Sequence, residues 1–140
     1  MLALGSLAAA GCGRYSVGEL QARKAFKAAN QAYQSQDYKH AAELYQEAIT
    51  AAPASPSAHQ ALFFLGNSYD NLWKPSKKGE AENDALMTKA VDNYQKAAEK
   101  LSGSVDPQDK VLSKRSLEFL VAAYRADKLN DPAKAEPIVQ

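Results

Sequence analysis

Residues 41–53 read AAELYQEAITAAP, and residues 90–97 read AVDNYQKA. Both place alanine, tyrosine and alanine at one spacing: Ala41, Tyr45 and Ala48, then Ala90, Tyr94 and Ala97, with Pro53 closing the first copy. Steps of four and three put these side chains on one face of an α-helix. A small–large–small face suits a close helix crossing with a ring filling the space beside it. Upstream of each copy stands a second helix face: Ala25, Ala28, Ala29 and Ala32 before the first, Leu62, Leu65, Gly66 and Tyr69 before the second. A third such face follows at Leu117, Leu120, Val121 and Tyr124. Self-similarity of this kind fixes the architecture before any local motif: helix pairs in an array, each burying its apolar face on the next.

These residues resemble the tetratricopeptide repeat, a helix–turn–helix unit of about 34 residues. Ala29 and Gly66 stand at the family's small position in the first helix, and Ala41 and Ala90 at that of the second. Tyr45 and Tyr94 are the large residues. Ala48, Ala97, Leu65, Tyr69, Leu120 and Tyr124 continue the seam, and Pro53 ends the unit. The chain departs from the family at Ala25, Leu62 and Leu117, where an aromatic is usual. The resemblance implies an all-α fold, an α-α superhelix of about two and a half repeats. The repeats span about 19–55, 56–104 and 105–140, the last truncated.

Composition agrees. The chain has 140 residues, enough for one domain. Alanine is abundant and β-branched residues are sparse, which favours helix over strand. A net charge of +1 gives no global attraction to nucleic acid or to an anionic membrane. A single cysteine excludes a disulfide framework and a cysteine-based metal site. His40 and His59 fall on different helices with no ligand cluster beside them, so no metal or other cofactor is expected.

Met1 to Gly11 is an apolar, small-residue run ending at Cys12. As a helix it would reach about 17 Å, short of a hydrocarbon core of about 30 Å. It reads as the end of a secretory apolar region. The tetrad ending at Cys12 resembles the bacterial lipobox, which implies cleavage before Cys12 and a lipid on its thiol. Ala9 stands where leucine is commoner, and no Lys or Arg precedes the run. Residues 1–12 are thus expected to be signal and lipobox, 13–18 a tether, and 19–140 the array. The protein is expected in the cell envelope, anchored to the membrane only through Cys12.

Caps set the helix starts. Ser16-x-x-Glu19 is a capping box that opens a helix over about 17–35. Asp37 caps a second helix to about Ala52. Ser57-x-x-Gln60 is a further capping box, opening a third helix to about Trp73. Residues 74–84 read as an inserted, solvated loop rich in Pro, Gly and charge. A fourth helix is expected from about Ala85 to Leu101. Asp106-Pro107 opens a fifth to about Ala126, and Asp131-Pro132 repeats the device for a sixth. Pro137 would remove the bond to the Ala133 carbonyl, which argues for a start nearer Glu136. Ile138, Val139 and a face around Leu117, Leu120 and Tyr124 are expected to lie open, favouring self-association.

No catalytic constellation appears. Gly66 and Gly103 are isolated, Ser16 and Ser57 serve as caps, and Glu80, Glu82 and Asp84 lack a calcium-loop pattern. Basic residues are not interleaved with aromatics as single-strand nucleic-acid binding requires. What remains is the concave face that the resemblance assigns to the first helix of each repeat. By helical spacing it carries Arg23, Lys27, Asn30 and Gln34. Gln60, Phe63, Asn67, Asp70 and Asn71 come next, then Arg115, Glu118, Phe119, Ala122 and Arg125. Asn30 and Asn67 are equivalent and suited to grip a peptide backbone. Consecutive helical residues point about 100° apart, so Phe64 is expected in the core and Phe63 in the groove. The family's chaperone-tail clamp is matched only at Asn30. Phe26 and Phe63 stand where it needs a cation, and Lys27 is one position off.

Two functions follow as expectations. The first is a non-enzymatic scaffold of the bacterial envelope that docks a protein or peptide on its concave face. The second is a targeting arm of a larger enzyme encoded beyond Gln140.

Overall fold

The computed structural model describes residues 15–125 and 127–139. Cys12 and the signal-like run lie outside the described residues. Among the described residues the secondary structure is helical throughout: α1 Val17–Gln34, α2 Tyr38–Ala51, α3 Pro56–Leu72, α4 Ala81–Ser102, α5 Pro107–Ala123 and α6 Pro132–Val139. A 3₁₀ turn, Pro75–Lys77, lies between α3 and α4.

The starts of α1 and α2 follow their caps. Ser16 Oγ accepts from the Glu19 amide at 3.2 Å, and the Glu19 carboxylate accepts from the Ser16 amide at 2.8 Å. Asp37 accepts from the His40 amide at 3.2 Å. Between them Gln36 takes φ 60°, the left-handed conformation that folds α2 back on α1.

Four boundaries differ from the expected ones, the simplest being the end of α5, at Ala123 and not near Ala126. The cap of α3 is Ser55, whose Oγ accepts from the Ala58 amide, and not Ser57. Pro56 lacks an amide hydrogen and has its φ preset, so it fits the first helical position and draws the start two residues upstream. The second helix of the next pair begins at Ala81, not near Ala85. Glu82 and Asp84 fall in its first turn, where negative charge is favoured. Finally, α6 begins at Pro132 and runs through Pro137, so the Pro-first device outweighs the one bond that Pro137 forfeits.

Each helix packs on its neighbour in the chain, and α1–α3 and α3–α5 also touch. The odd-numbered helices thus share one side of the molecule. The core falls into two connected clusters. Ala25, Ala29, Ala41, Ala42, Tyr45, Ala48, Ala61 and Leu65 form the first. The second includes Leu62, Phe63, Trp73, Met87, Ala90, Tyr94, Ala97, Leu101, Leu112, Leu120 and Tyr124. Ile49, Phe64 and Tyr69 pack against both.

Alanine and glycine occupy the crossings. A Cβ on Gly66 would stand 3.0 Å from the Tyr94 ring and 3.1 Å from the Ala90 carbonyl oxygen. Gly18 is tighter still, with the Ala51 carbonyl oxygen 2.5 Å from such a Cβ. Leu120 and Tyr124 are buried rather than open, because Ala135 and Ile138 of α6 pack against their cluster. Leu117 and Val139 do remain exposed.

Residues 74–84 are not a free loop. The Asn83 side chain accepts from the Lys74 amide at 2.9 Å and donates to its carbonyl at 3.0 Å. Asp84 accepts from the Gly79 amide at 3.0 Å. Gly79 has φ +96°, a conformation open to glycine. The segment is laced to the first turn of α4 while its outer surface stays solvated.

Candidate partner-binding face

The tyrosines of the even-numbered helices organise the side shared by α1, α3 and α5. Tyr45 and Tyr94 are fully buried between helices. Each stacks on a phenylalanine of the following odd helix: Tyr45 on Phe64 at 5.6 Å and 16°, Tyr94 on Phe119 at 5.3 Å and 13°. Each is also bonded to an asparagine of the preceding odd helix. Tyr45 Oη donates to Asn30 Oδ1 at 2.7 Å, and Asn67 Nδ2 donates to Tyr94 Oη at 3.1 Å. The unit of stack plus amide bond therefore occurs twice, once around each tyrosine of the repeated motif.

Asn67 is a hub. Its Oδ1 accepts from Tyr33 Oη of α1 and, at 2.9 Å, from Asn71 Nδ2. Tyr94 Oη donates onward to Asp70 Oδ2 at 3.5 Å, and Asp70 Oδ1 pairs with Lys128 Nζ at 2.6 Å. Lys128 also lies over the Trp73 ring. The chain Tyr33–Asn67–Tyr94–Asp70–Lys128 ties α1, α3, α4 and the segment after α5 together. No buried side-chain polar atom among the described residues is left without a partner.

Burial raises the pKa of Tyr94 far above the ordinary tyrosine value, and the nearby Asp70 charge adds to it. Burial likewise raises Tyr45 strongly, with a contribution from Tyr33. Burial and Tyr38 raise Tyr33, against an opposing pull from the Arg115 guanidinium. These phenols stay protonated and act as hydrogen-bond donors, not as bases.

Several residues expected to meet a ligand are thus already occupied. Asn67 is buried with its bonds made, and Asn30 is half-buried against Tyr45. Neither has the free amide expected for gripping a peptide. Asp70 is held in its ion pair, and Gln60 donates to Asp109 at 2.7 Å. The two phenylalanines exchange roles. Phe63 is 2% exposed, packed against Tyr94 and Phe119, with the Arg115 guanidinium over its ring. Phe64 is half-buried. The reason lies in the neighbours on both sides of α3: nearly every direction from this central helix meets another one, and a strip through Gln60, Phe64 and Asn71 stays accessible. Arg23, Lys27, Gln34, Asn71, Arg115, Glu118 and Arg125 are exposed, and Phe119 and Ala122 half-buried.

The face that results has a half-buried aromatic surface of Phe64 and Phe119, each backed by a stacked tyrosine, with long polar side chains around it. It can offer apolar contact and adaptable hydrogen bonds. Sequence reasoning did not anticipate a concavity of about 620 Å³ among α2, α3 and α4. Ala42, Tyr69, Leu72 and Leu86 line it with Lys39, Glu43 and Gln46. Among the described residues no group of three or more His, Cys, Asp or Glu is placed to hold a metal ion. No described helix is long and apolar enough to cross a membrane. No protein-family model, curated protein or solved structure matches the chain.

Proposed function

We propose that the chain is a non-enzymatic binding module, a tetratricopeptide-like superhelix whose concave side, carried by α1, α3 and α5, docks a segment of a partner protein. The observation that carries this reading is the repeated support of Phe64 and Phe119. Each is half-buried, and each is stacked on a buried tyrosine that is itself bonded to an asparagine. Rings held this way supply contact area without losing side-chain freedom on binding. Polar residues at the rim suit recognition of a peptide backbone and side chains. The reading places the module in the bacterial envelope, tethered by a lipid on Cys12, on the strength of the lipobox-like sequence.

The test is a selection of peptides from a displayed library against the whole chain, followed by affinity measurement on variants. Lys27→Glu, Asn71→Ala and Phe119→Ala should each weaken the selected peptides, and Lys39→Glu on the opposite side should not. Peptides that bind all four variants as they bind the parent chain would sink the proposal. Incorporation of labelled fatty acid into the parent chain, and none into Cys12→Ala, is the expected result for the tether.

A further inference from the structure

The solvent side of the first turns of α1 carries an apolar cluster that neither the core nor the face described above uses. Tyr15, Val17 and Leu20 are 53%, 72% and 54% exposed. The other large apolar side chains of comparable exposure are dispersed: Val105, Val111, Leu117 and Val139. Val17, Leu20, Lys24 and Lys27 follow one another at steps of three and four, so they share a side of α1. That side is opposite Ala22, Ala25 and Ala29, which face the core.

Charge has a sign here. Arg23, Lys24 and Lys27 are exposed and lie within the two turns after Leu20. Glu19 is the single acidic residue between 15 and 33, and its carboxylate is engaged by the Ser16 amide. The Arg23 guanidinium sits 3.7 Å from the centre of the Tyr15 ring and holds that ring against the helix. A tyrosine, two aliphatic side chains and three cations on one helix end match the chemistry of a headgroup boundary. There the ring and aliphatics reach the acyl edge and the cations meet anionic phosphates. In sequence this side begins at Tyr15, with three residues between it and the apolar run of residues 1–11.

We propose that the Val17–Leu20–Lys24 side of α1, with Tyr15 and Arg23, is a docking surface for an anionic lipid bilayer. The contact belongs to the folded helix and needs no acyl chain on Cys12. It would orient the array relative to the membrane, and Arg23 and Lys27 lie where this side of α1 borders the concave one.

The experiment uses the full chain carrying Cys12→Ser, so that no lipid anchor contributes. Binding is measured by co-sedimentation with vesicles of phosphatidylcholine alone and of phosphatidylcholine mixed with phosphatidylglycerol. The proposal expects binding to the mixed vesicles that weakens as salt is raised. It also expects a loss of about tenfold for Val17→Ser/Leu20→Ser and for Arg23→Gln/Lys24→Gln. An environment-sensitive dye on Leu20→Cys should shift to the blue on those vesicles, and the same dye on Val105→Cys should not. No binding by the Cys12→Ser chain overturns the proposal; so does binding that both double variants retain, as it would be if residues 1–11 alone inserted. A dye shift at position 105 and none at position 20 would overturn it as well.

Discussion

Gly18 and Ala51 meet where the start of α1 crosses the end of α2, so closely that a Cβ on Gly18 would stand 2.5 Å from the Ala51 carbonyl oxygen. The Ala51 carbonyl belongs to the last residue of α2 and, being backbone, moves only if the end of that helix moves with it. Gly18→Ala should therefore destabilise the fold by about 1–2 kcal/mol, since overpacking outweighs the gain in helix propensity. Gly103 supplies the opposite case. It sits at φ −88° with nothing within 4 Å of a would-be Cβ. Gly103→Ala should stabilise by about 0.4–1 kcal/mol through the unfolded state. Urea melts of the two variants should move in opposite directions.

Asn67→Ala should be far more damaging than Asn71→Ala. The first removes the partner of both Tyr33 and Tyr94, and Tyr94 is fully buried. Tyr94 Oη keeps its bond to Asp70, but the lost bonds and the gap left by a buried amide cost about 2–4 kcal/mol together. The second deletes an exposed amide whose bonds return to Asn67, at a cost within about 1 kcal/mol. Equal losses in chemical melts would contradict the hub.

The Asp70–Lys128 pair predicts a non-additive cycle. The two side chains are 10% and 21% exposed. Lys128→Met leaves the Asp70 charge largely buried and unpaired, a loss of about 2–4 kcal/mol. Adding Asp70→Asn to it should recover most of that loss, because no uncompensated charge remains. Additive single and double variants would show that the pair is energetically inert.

Stability should fall on the alkaline side. Tyr45 and Tyr94 have folded pKa values raised far above the ordinary value by burial. Their contribution is complete below the unfolded tyrosine value of about 10 and is lost as pH rises from there, because the unfolded chain releases protons that the folded chain keeps. Each contributes a slope of about 1.4 kcal/mol per pH unit in that window. The informative quantity is the difference between the parent chain and Tyr94→Phe. That variant should lose the slope of one proton above pH 10; an unchanged slope would mean that Tyr94 ionises freely in the fold.

The parts of this structure that the sequence disclosed are those set by neighbours along the chain. Ser16 with Glu19, Asp37, and Asp106 before Pro107 act within one helical turn, and each caps where its spacing says. Ala41, Ala90, Ala97 and the two tyrosines are buried because periodicity alone puts them on an inward face. Ser55 and Ser57 flank Pro56 and compete as caps, and the proline's preference for the first helical position decides between them. Features created by packing from several sides were not readable. Phe63 and Phe64 differ by one helical step, and α5 determines which of them is covered. The amides of Asn30 and Asn67 look free in sequence, yet tyrosine hydroxyls from three helices converge on them. Gly18 bore no mark of its crossing with Ala51, whose carbonyl approaches from the far end of the next helix.

The most direct test of the account is a nuclear magnetic resonance titration of the isotope-labelled chain with a peptide selected against it. The account predicts that amide shifts concentrate on the odd-numbered helices, at Lys27, Gln34, Gln60, Phe64, Asn71 and Phe119. Shifts centred instead on Ala42, Gln46, Leu72 and Leu86, in the concavity on the other side, would contradict it.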